Sequence, residues 1–331
     1  MLTRAPIPPA ALAALDLLAP YDSMLLAVSG GPDSVALMLL AAQWLGRANR
    51  RIAVATVDHG LRAGSRAEAE MVANWAHTLG FVHHCLVWTG DKPATRIQER
   101  ARRARYELLT DCAVALGAQA IVTAHHADDQ AETILFRLSR GSGVGGLSGM
   151  AEVAPCGPVI LARPFLAATK ADLEQICRDL EHPYFRDPSN DRESFARVRL
   201  RRLAPLLAEQ GLDRAALTRL GRRARRATAA LDYIAQAIRR AALIDRDDAG
   251  ARFRGAALAQ APEEIVLRLL AMEIARLSPA AQIRLERLER LGEPLIAALA
   301  GGENWRSTLA GVLIETRGDE LILRRAPPRR G

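Results

Sequence analysis

Six consecutive residues, Ser29-Gly30-Gly31-Pro32-Asp33-Ser34, have the types and order needed to bind a phosphate chain. An apolar run, Met24 to Ser29, leads into them, and a helical pattern, Ser34 to Leu45, leads out. A strand that turns into a helix aims its first amides and its dipole at one spot, which attracts anions. The two glycines let the backbone come close to a phosphate. Asp33 and Ser34 can cap the helix, and Asp33 can also hold Mg²⁺ on the phosphates. The G-x-x-x-x-G-K-[ST] pattern of the common ATPase loop does not occur. A second set is His125-His126-Ala127-Asp128-Asp129-Gln130-Ala131-Glu132. A helix here puts Asp129 and Glu132 on one face, and Asp128 and Glu132 on an overlapping one. Such carboxylates can bind Mg²⁺, hold a cationic amine or take its proton. Asp128 can equally be a plain N-cap, and two histidines among carboxylates also admit a zinc cluster.

These groups need a scaffold, and the chain patterns supply one. Ile52 to Val57 reads as a buried strand ending at Asp58, Phe81 to Val87 as a third strand and Ala120 to Ala124 as a fourth. A fifth is expected at Val159 to Leu161. Helical spacing fills the intervals at Arg66 to Leu79, Ile97 to Leu116, Ala127 to Leu138 and Ala171 to Leu180. Strands alternating with helices predict an α/β fold, a Rossmann-like parallel sheet covered on both faces. Ligands then sit at the C-terminal ends of the strands. Arg140 to Met150 is a glycine-rich loop. Its G-x-G-x-x-G stretch, Gly141 to Gly146, follows a helix rather than a strand, so it is not a dinucleotide fingerprint. After Pro205 the pattern is helical: Arg214 to Leu243, Pro262 to Leu277 and Ala280 to Leu291. The tail, Trp305 to Leu323, reads as two strands about a Gly-Asp turn. The expected division is residues 1–207, then a smaller, mainly helical domain at 208–331 with a short β-like tail.

Composition narrows the function classes. The longest apolar stretch, Val35 to Gly46, has 12 residues, against roughly 20 for a membrane-spanning helix. The N-terminus lacks a secretory pattern, so a soluble, cytoplasmic chain with no membrane partner is expected. Cys85, Cys112, Cys156 and Cys177 are scattered, with no C-x-x-C, which suits free thiols rather than disulfides or zinc. The net charge is +8. Between Arg197 and Arg226 ten arginines face only Glu209 and Asp213, a local +8 equal to the whole excess. Such a patch suits a polyanion partner; a solvated helix face is the bland alternative.

The loop Ser29 to Ser34 resembles the SGGxDS loop of the PP-loop ATP pyrophosphatases, which split ATP to AMP and pyrophosphate. Further segments narrow the likeness: Asp58-His59-Gly60-Leu61-Arg62, Ala101-Arg102-Arg103-Ala104-Arg105-Tyr106, Ala124 to Thr133, Arg140 to Met150, and Asp187-Pro188-Ser189-Asn190-Asp191. Together they resemble the N-terminal domain of the tRNA(Ile)-lysidine synthetase family, in its compact form, across residues 20–207. The resemblance implies an adenine nucleotide alpha hydrolase-like PP-loop domain for ATP and a C-terminal domain for tRNA. Ser29, Gly30, Gly31, Pro32, Asp33 and Ser34 would bind ATP, Asp33 would meet Mg²⁺, and Asp58 and His59 would border the adenosine. Asp33, Arg105, Asp129 and Glu132 match the family's active centre. Arg197, Arg199, Arg201, Arg222, Arg223, Arg225 and Arg226 would serve the tRNA. Val198 departs from the family, which has an asparagine there. The implied reaction adenylates the wobble cytidine of the CAU-anticodon isoleucine tRNA and then joins free L-lysine to it. A homodimer is an admissible assembly. A tRNA thiolation enzyme on the same core is the competing reading, and it would need thiolates that four scattered cysteines do not supply.

Overall fold

The computed structural model describes residues 9–44, 49–60, 64–89, 97–186, 196–279, 281 and 283–327, without the side chains of 98, 196–199 and 201. Leu61 and Arg62, the segment 187–191, and the side chains of Arg197, Val198, Arg199 and Arg201 therefore lie outside the described residues.

The chain divides into two compact units, residues 1–137 with 149–219, and residues 138–148 with 220–331. The first opens with a short helix α1 (Pro9–Ala13). It continues β1 (Ser23–Ala27), α2 (Pro32–Gln43), β2 (Arg51–Asp58), α3 (Ser65–Thr78), β3 (Val82–Val87), α4 (Ile97–Ala115), β4 (Ala120–Val122) and α5 (Ala127–Leu138). After α6 (Val144–Leu147) come β5 (Val153–Cys156), β6 (Val159–Ala162), α7 (Lys170–Asp179) and α8 (Ala196–Glu209). The sheet order is β3-β2-β1-β4-β6-β5, parallel except for β5 on β6.

Alternation along β1 builds the two layers. Met24 and Leu26 pack with α2 (Val35 to Ala41), Val72 and Ala76 of α3, and Leu173 and Ile176 of α7. Leu25 packs on the other face with Leu109 and Ala113 of α4 and with Ile121 and Leu161. A strand buried on both faces reads as a continuous apolar run, which is why β1 was legible. The order reverses direction at β1, which has β2 on one side and β4 on the other, so a crevice opens beyond these strand ends. β5 escaped the sequence reading because it is a short edge strand carrying Pro155, a residue that edges tolerate and central strands do not. α8 runs through Pro205, where the helical pattern had been expected to begin.

The second unit is mainly helical, as expected, and carries a larger sheet than the short β-like tail. After α9 (Arg214–Ala242) come β7 (Leu243–Arg246), β8 (Gly250–Arg254), α10 (Gly255–Ala259), α11 (Glu263–Leu277), α12 (Leu285–Gly301), β9 (Trp305–Leu309), β10 (Val312–Arg317) and β11 (Glu320–Arg325). Five strands form an antiparallel sheet, ordered β7-β8-β11-β10-β9. In β8 only Ala251 and Phe253 turn inward between exposed arginines, so its apolar signal is two residues long. The tail holds three strands because Ala310 and Gly311, both at positive φ, fold β9 back on β10. Val266, Leu270 and Ile274 of α11 and Leu295 of α12 pack with Phe253, Ile314 and Leu323 to form its core.

Candidate active site

The loop from Ser29 to Ser34 joins β1 to α2. Gly30 has φ +85, and a Cβ there would stand 2.6 Å from Phe185 Cδ2 and 3.1 Å from Val72 Cγ2. Only glycine meets both demands without strain. Phe185 donates its N–H to the Gly30 carbonyl at 2.8 Å, and its ring stacks on Trp75 with centroids 5.2 Å apart. Ser34 Oγ donates to the Gly31 carbonyl at 3.0 Å and accepts from the Ser29 amide at 3.1 Å. The Gly31 carbonyl also takes the first helical bond, from Val35 at 2.9 Å. Among the described residues nothing accepts from the amides of Gly30, Gly31, Asp33 and Ser34. Orphan amides at a helix N-terminus make an anion site.

Asp33 lies in the first turn of α2. Its Oδ1 is buried with no hydrogen-bond partner among the described residues, while Oδ2 lies 3.6 Å from His126 Nε2. One carboxylate beside phosphates is a usual protein share of an Mg²⁺ site, so Asp33 fits that ion. Among the described residues no group of three or more His, Cys, Asp or Glu has the arrangement to hold a metal by itself.

His126, 6% exposed, precedes α5 and caps it. Its Nδ1 accepts from the Asp129 amide at 3.4 Å, and Asp129 Oδ2 accepts from the His126 amide at 3.1 Å. This reciprocal pair satisfies two helix-terminal amides. Asp128 is therefore not the cap. It sits two residues past the cap position, where Oδ2 accepts from the Lys170 amide at 2.9 Å and the carboxylate meets Arg214 at 3.3 Å. The His126 ring also lies 3.5 Å from Asp129 Oδ2 and 3.5 Å from Asp128 Oδ2. Burial opposes charging of His126, but the hydrogen bond to Asp33 and the charges of Asp129, Asp33 and Asp128 outweigh it and raise its pKa. Burial raises the Asp129 pKa, helped by the Glu132 and Asp33 charges and opposed by His126. A carboxyl held above its usual range is a better proton acceptor.

His125 faces different company. Its Nδ1 pairs with Thr123 Oγ1 at 2.8 Å. Burial pushes its pKa down to about 3, reinforced by the charges of Arg163, Arg102, Arg105 and His126. Arg105 projects from α4 to the end of β2, where Nη2 lies 3.5 Å from His59 Nε2. Solvent reaches Arg105, yet protein surrounds it densely enough that lost hydration lowers its pKa, as happens in a cleft. Asp58 Oδ1 accepts from the Gly60 amide at 2.8 Å, and His59 stands edge-on to Trp88. Asp33 and Asp129 thus meet at one histidine, Arg105 and His59 meet near the next, and Glu132 shares the Asp129 face. Sequence reasoning missed Arg163, which follows β6. The available signal was a cation directly after a buried apolar strand, since that end of a parallel sheet carries the site.

In the second unit, Arg222, Arg223, Arg225 and Arg226 of α9 are exposed around buried Gly221 and Ala224. Arg225 Nη2 donates to the Ser148 carbonyl at 3.1 Å. All four cysteines are described: Cys85 on β3, Cys112 on α4, Cys156 on β5 and buried Cys177 on α7, whose Sγ donates to the Pro32 carbonyl at 3.3 Å.

A family model of the PP-loop domain matches residues 11–207. A tRNA(Ile)-lysidine synthase of Methylobacterium sp. (strain 4-46) is 48% identical over 312 residues, covering 93% of this chain and 90% of the relative. One of Bradyrhizobium sp. (strain BTAi1) is 44% identical over 347 residues, covering 98% and 96%. Among solved structures, the U34-tRNA thiolase NcsA of Methanococcus maripaludis, with its [4Fe-4S] cluster, superposes with a TM-score of 0.55 at 14% identity. The match covers 65% of this chain and 77% of that one. At that identity the likeness concerns the fold alone.

Proposed function

The chain belongs to the tRNA(Ile)-lysidine synthase family, and from that membership we propose that it joins lysine to the wobble cytidine of the CAU-anticodon isoleucine tRNA at the cost of ATP. One observation carries the reading beyond membership. The acceptor-free amides of Gly30, Gly31, Asp33 and Ser34 stand on the same helix turn as Asp33, which shares His126 with Asp129.

In the first step the cytidine O2 attacks the α-phosphorus of ATP, and pyrophosphate leaves. The loop amides bind the departing phosphates, and Ser29 and Ser34 keep the loop in shape. Asp33 would hold Mg²⁺, which supplies charge neutralisation at the leaving group. Asp58 and His59 border the adenosine, and Arg105 offsets charge on the phosphoryl group. In the second step the lysine ε-amine attacks C2, the C2–O bond breaks and AMP leaves. That amine has a reference pKa of about 10.4 and must lose a proton first. Asp129 and Glu132 hold the ammonium, and Asp129, its pKa raised by burial, takes the proton. Residues 1–207 carry this chemistry in our reading. The arginines of 208–331, with Arg197, Arg199 and Arg201, grip the tRNA. The cytoplasmic setting and a homodimer belong to the same proposal; sedimentation reads the latter.

The test is incubation with ATP, radiolabelled lysine and isoleucine or methionine transcripts bearing CAU. Lysine should enter the isoleucine transcript alone. Sulfur incorporation instead of lysine would favour the thiolation reading.

A further inference from the structure

We propose that Arg163 forms, with Arg102 and Arg105, a seat for a phosphate group on the α4 side of the site. Three observations converge. Arg163 is only 8% exposed, and its Nε is buried without a hydrogen-bond partner among the described residues. Its backbone amide donates to the Glu152 carbonyl and its Nη1 to the Ala151 carbonyl, each at 2.7 Å. The side chain is therefore held by the Ala151 carbonyl and by the Tyr106 side chain, while its Nε goes unused. Next, Arg102, Arg105 and Arg163 make no ion pair with a carboxylate among the described residues. The Arg102 guanidinium lies 5.2 Å over the Tyr106 ring, and Arg105 Nη2 lies 3.5 Å from His59 Nε2. Finally, contacts bring them together. The β4–β6 register sets Arg163 beside Thr123, which holds His125. Arg163 hydrogen-bonds the Tyr106 side chain, over whose ring Arg102 lies, and the charges of all three arginines reach His125.

A buried guanidinium without a counter-charge is costly, and two further cations nearby add repulsion. An anion cancels both terms. The fork geometry of arginine matches the oxygens of a phosphate, and several forks match its higher charge better than they match one carboxylate. His125 stays uncharged in this company and adds no repulsion of its own. The phosphate has two sources, a nucleotide phosphoryl group or an RNA phosphodiester. The inference needs a phosphate-bearing substrate but not the lysine chemistry, so lysine incorporation by the wild type tests the proposed function separately.

The experiment measures binding of AMP, a short CAU anticodon stem-loop RNA and free lysine to the wild type, Arg163→Gln, Arg163→Lys and Arg102→Gln. Glutamine at 163 keeps a donor for the Ala151 carbonyl. Arg102 is exposed, so its variant keeps the fold should Arg163→Gln lose it. Both glutamine variants should bind one phosphate ligand about tenfold more weakly. Lysine at 163 should recover part of the loss, because an ammonium carries charge without the fork. Loss confined to AMP assigns the seat to the nucleotide. Loss confined to RNA, with a shallower salt dependence, assigns it to the tRNA backbone. Unchanged affinity for both phosphate ligands, or a loss seen only for free lysine, overturns the proposal.

Discussion

His125 and His126 are neighbours in the chain and are driven in opposite directions. Burial disfavours charge on both. His126 has Asp33, Asp128 and Asp129 around it and ends with a raised pKa. His125 has Arg102, Arg105 and Arg163 and falls to about 3. Burial lowers both, and neighbouring carboxylates reverse the sign only for His126. One dipeptide at the end of β4 therefore separates a carboxylate side from a guanidinium side. Two substrates of opposite charge, an ammonium and a phosphate, can then approach one reacting centre without sharing a pocket.

The most damaging way to break this contrast is to remove its acidic anchor. Asp33→Ala should lower lysine-independent adenylation of tRNA at least ~100-fold, the scale on which loss of one preorganised electrostatic contact is felt. Retained adenylation would take Asp33 out of the phosphate site. The next effect concerns the loop on which the acidic side is built. Gly30→Ala should destabilise by about 1–3 kcal/mol, from left-handed strain plus overlap with Phe185, read as a lower urea midpoint. Adding Phe185→Ala should relieve the overlap but not the strain; a wild-type midpoint for Gly30→Ala alone would contradict the packing. A smaller effect sharpens the cationic side by contrast with α9. Reversing Arg222, Arg223, Arg225 and Arg226 to glutamate should weaken tRNA binding and flatten its salt dependence. ATP binding should be unchanged, because these residues belong to the other unit. Unaltered tRNA affinity and salt slope would take these four arginines out of the tRNA contact.

The acidic half of this contrast was more legible than the basic half. The Gly-Gly turn, the buried run of β1 and the carboxylate spacing of α5 are local patterns, and local patterns survive in sequence. Arg163 becomes meaningful only through the pairing of β6 with β4, a contact between distant segments that no spacing rule encodes. The same holds for the cap of α5. Preference ranks favour Asp128, yet His126 takes the position because its ring also reaches Asp33 across the sheet. In the second unit, β7 and β8 were illegible because their outward residues are charged and their inward residues number two. The Cys177 thiol, which holds the Pro32 carbonyl, gave no motif at all.

The gentlest test of the contrast is its pH dependence. A histidine held neutral in the folded chain, with a pKa of about 3 against 6.5 unfolded, leaves the unfolded state binding more protons between those values. Stability from His125 is then complete above pH 6.5 and is lost as pH falls toward about 3. His83, lowered to about 4 by burial and by His77 and His84, adds a loss of the same sign from β3. Urea midpoints of the wild type should therefore fall from neutral pH toward pH 5. His125→Gln keeps a partner for Thr123 and cannot take the proton, so its acid limb should be shallower. The difference should be of the order of 1 kcal/mol at pH 5 once solvent screening is allowed for. Substituting Arg105 by Gln as well should shrink the remaining difference, since one of the repelling charges is gone. If His125→Gln instead tracks the wild type point for point, neither burial nor the guanidiniums hold His125 neutral, and the contrast across this dipeptide is wrong.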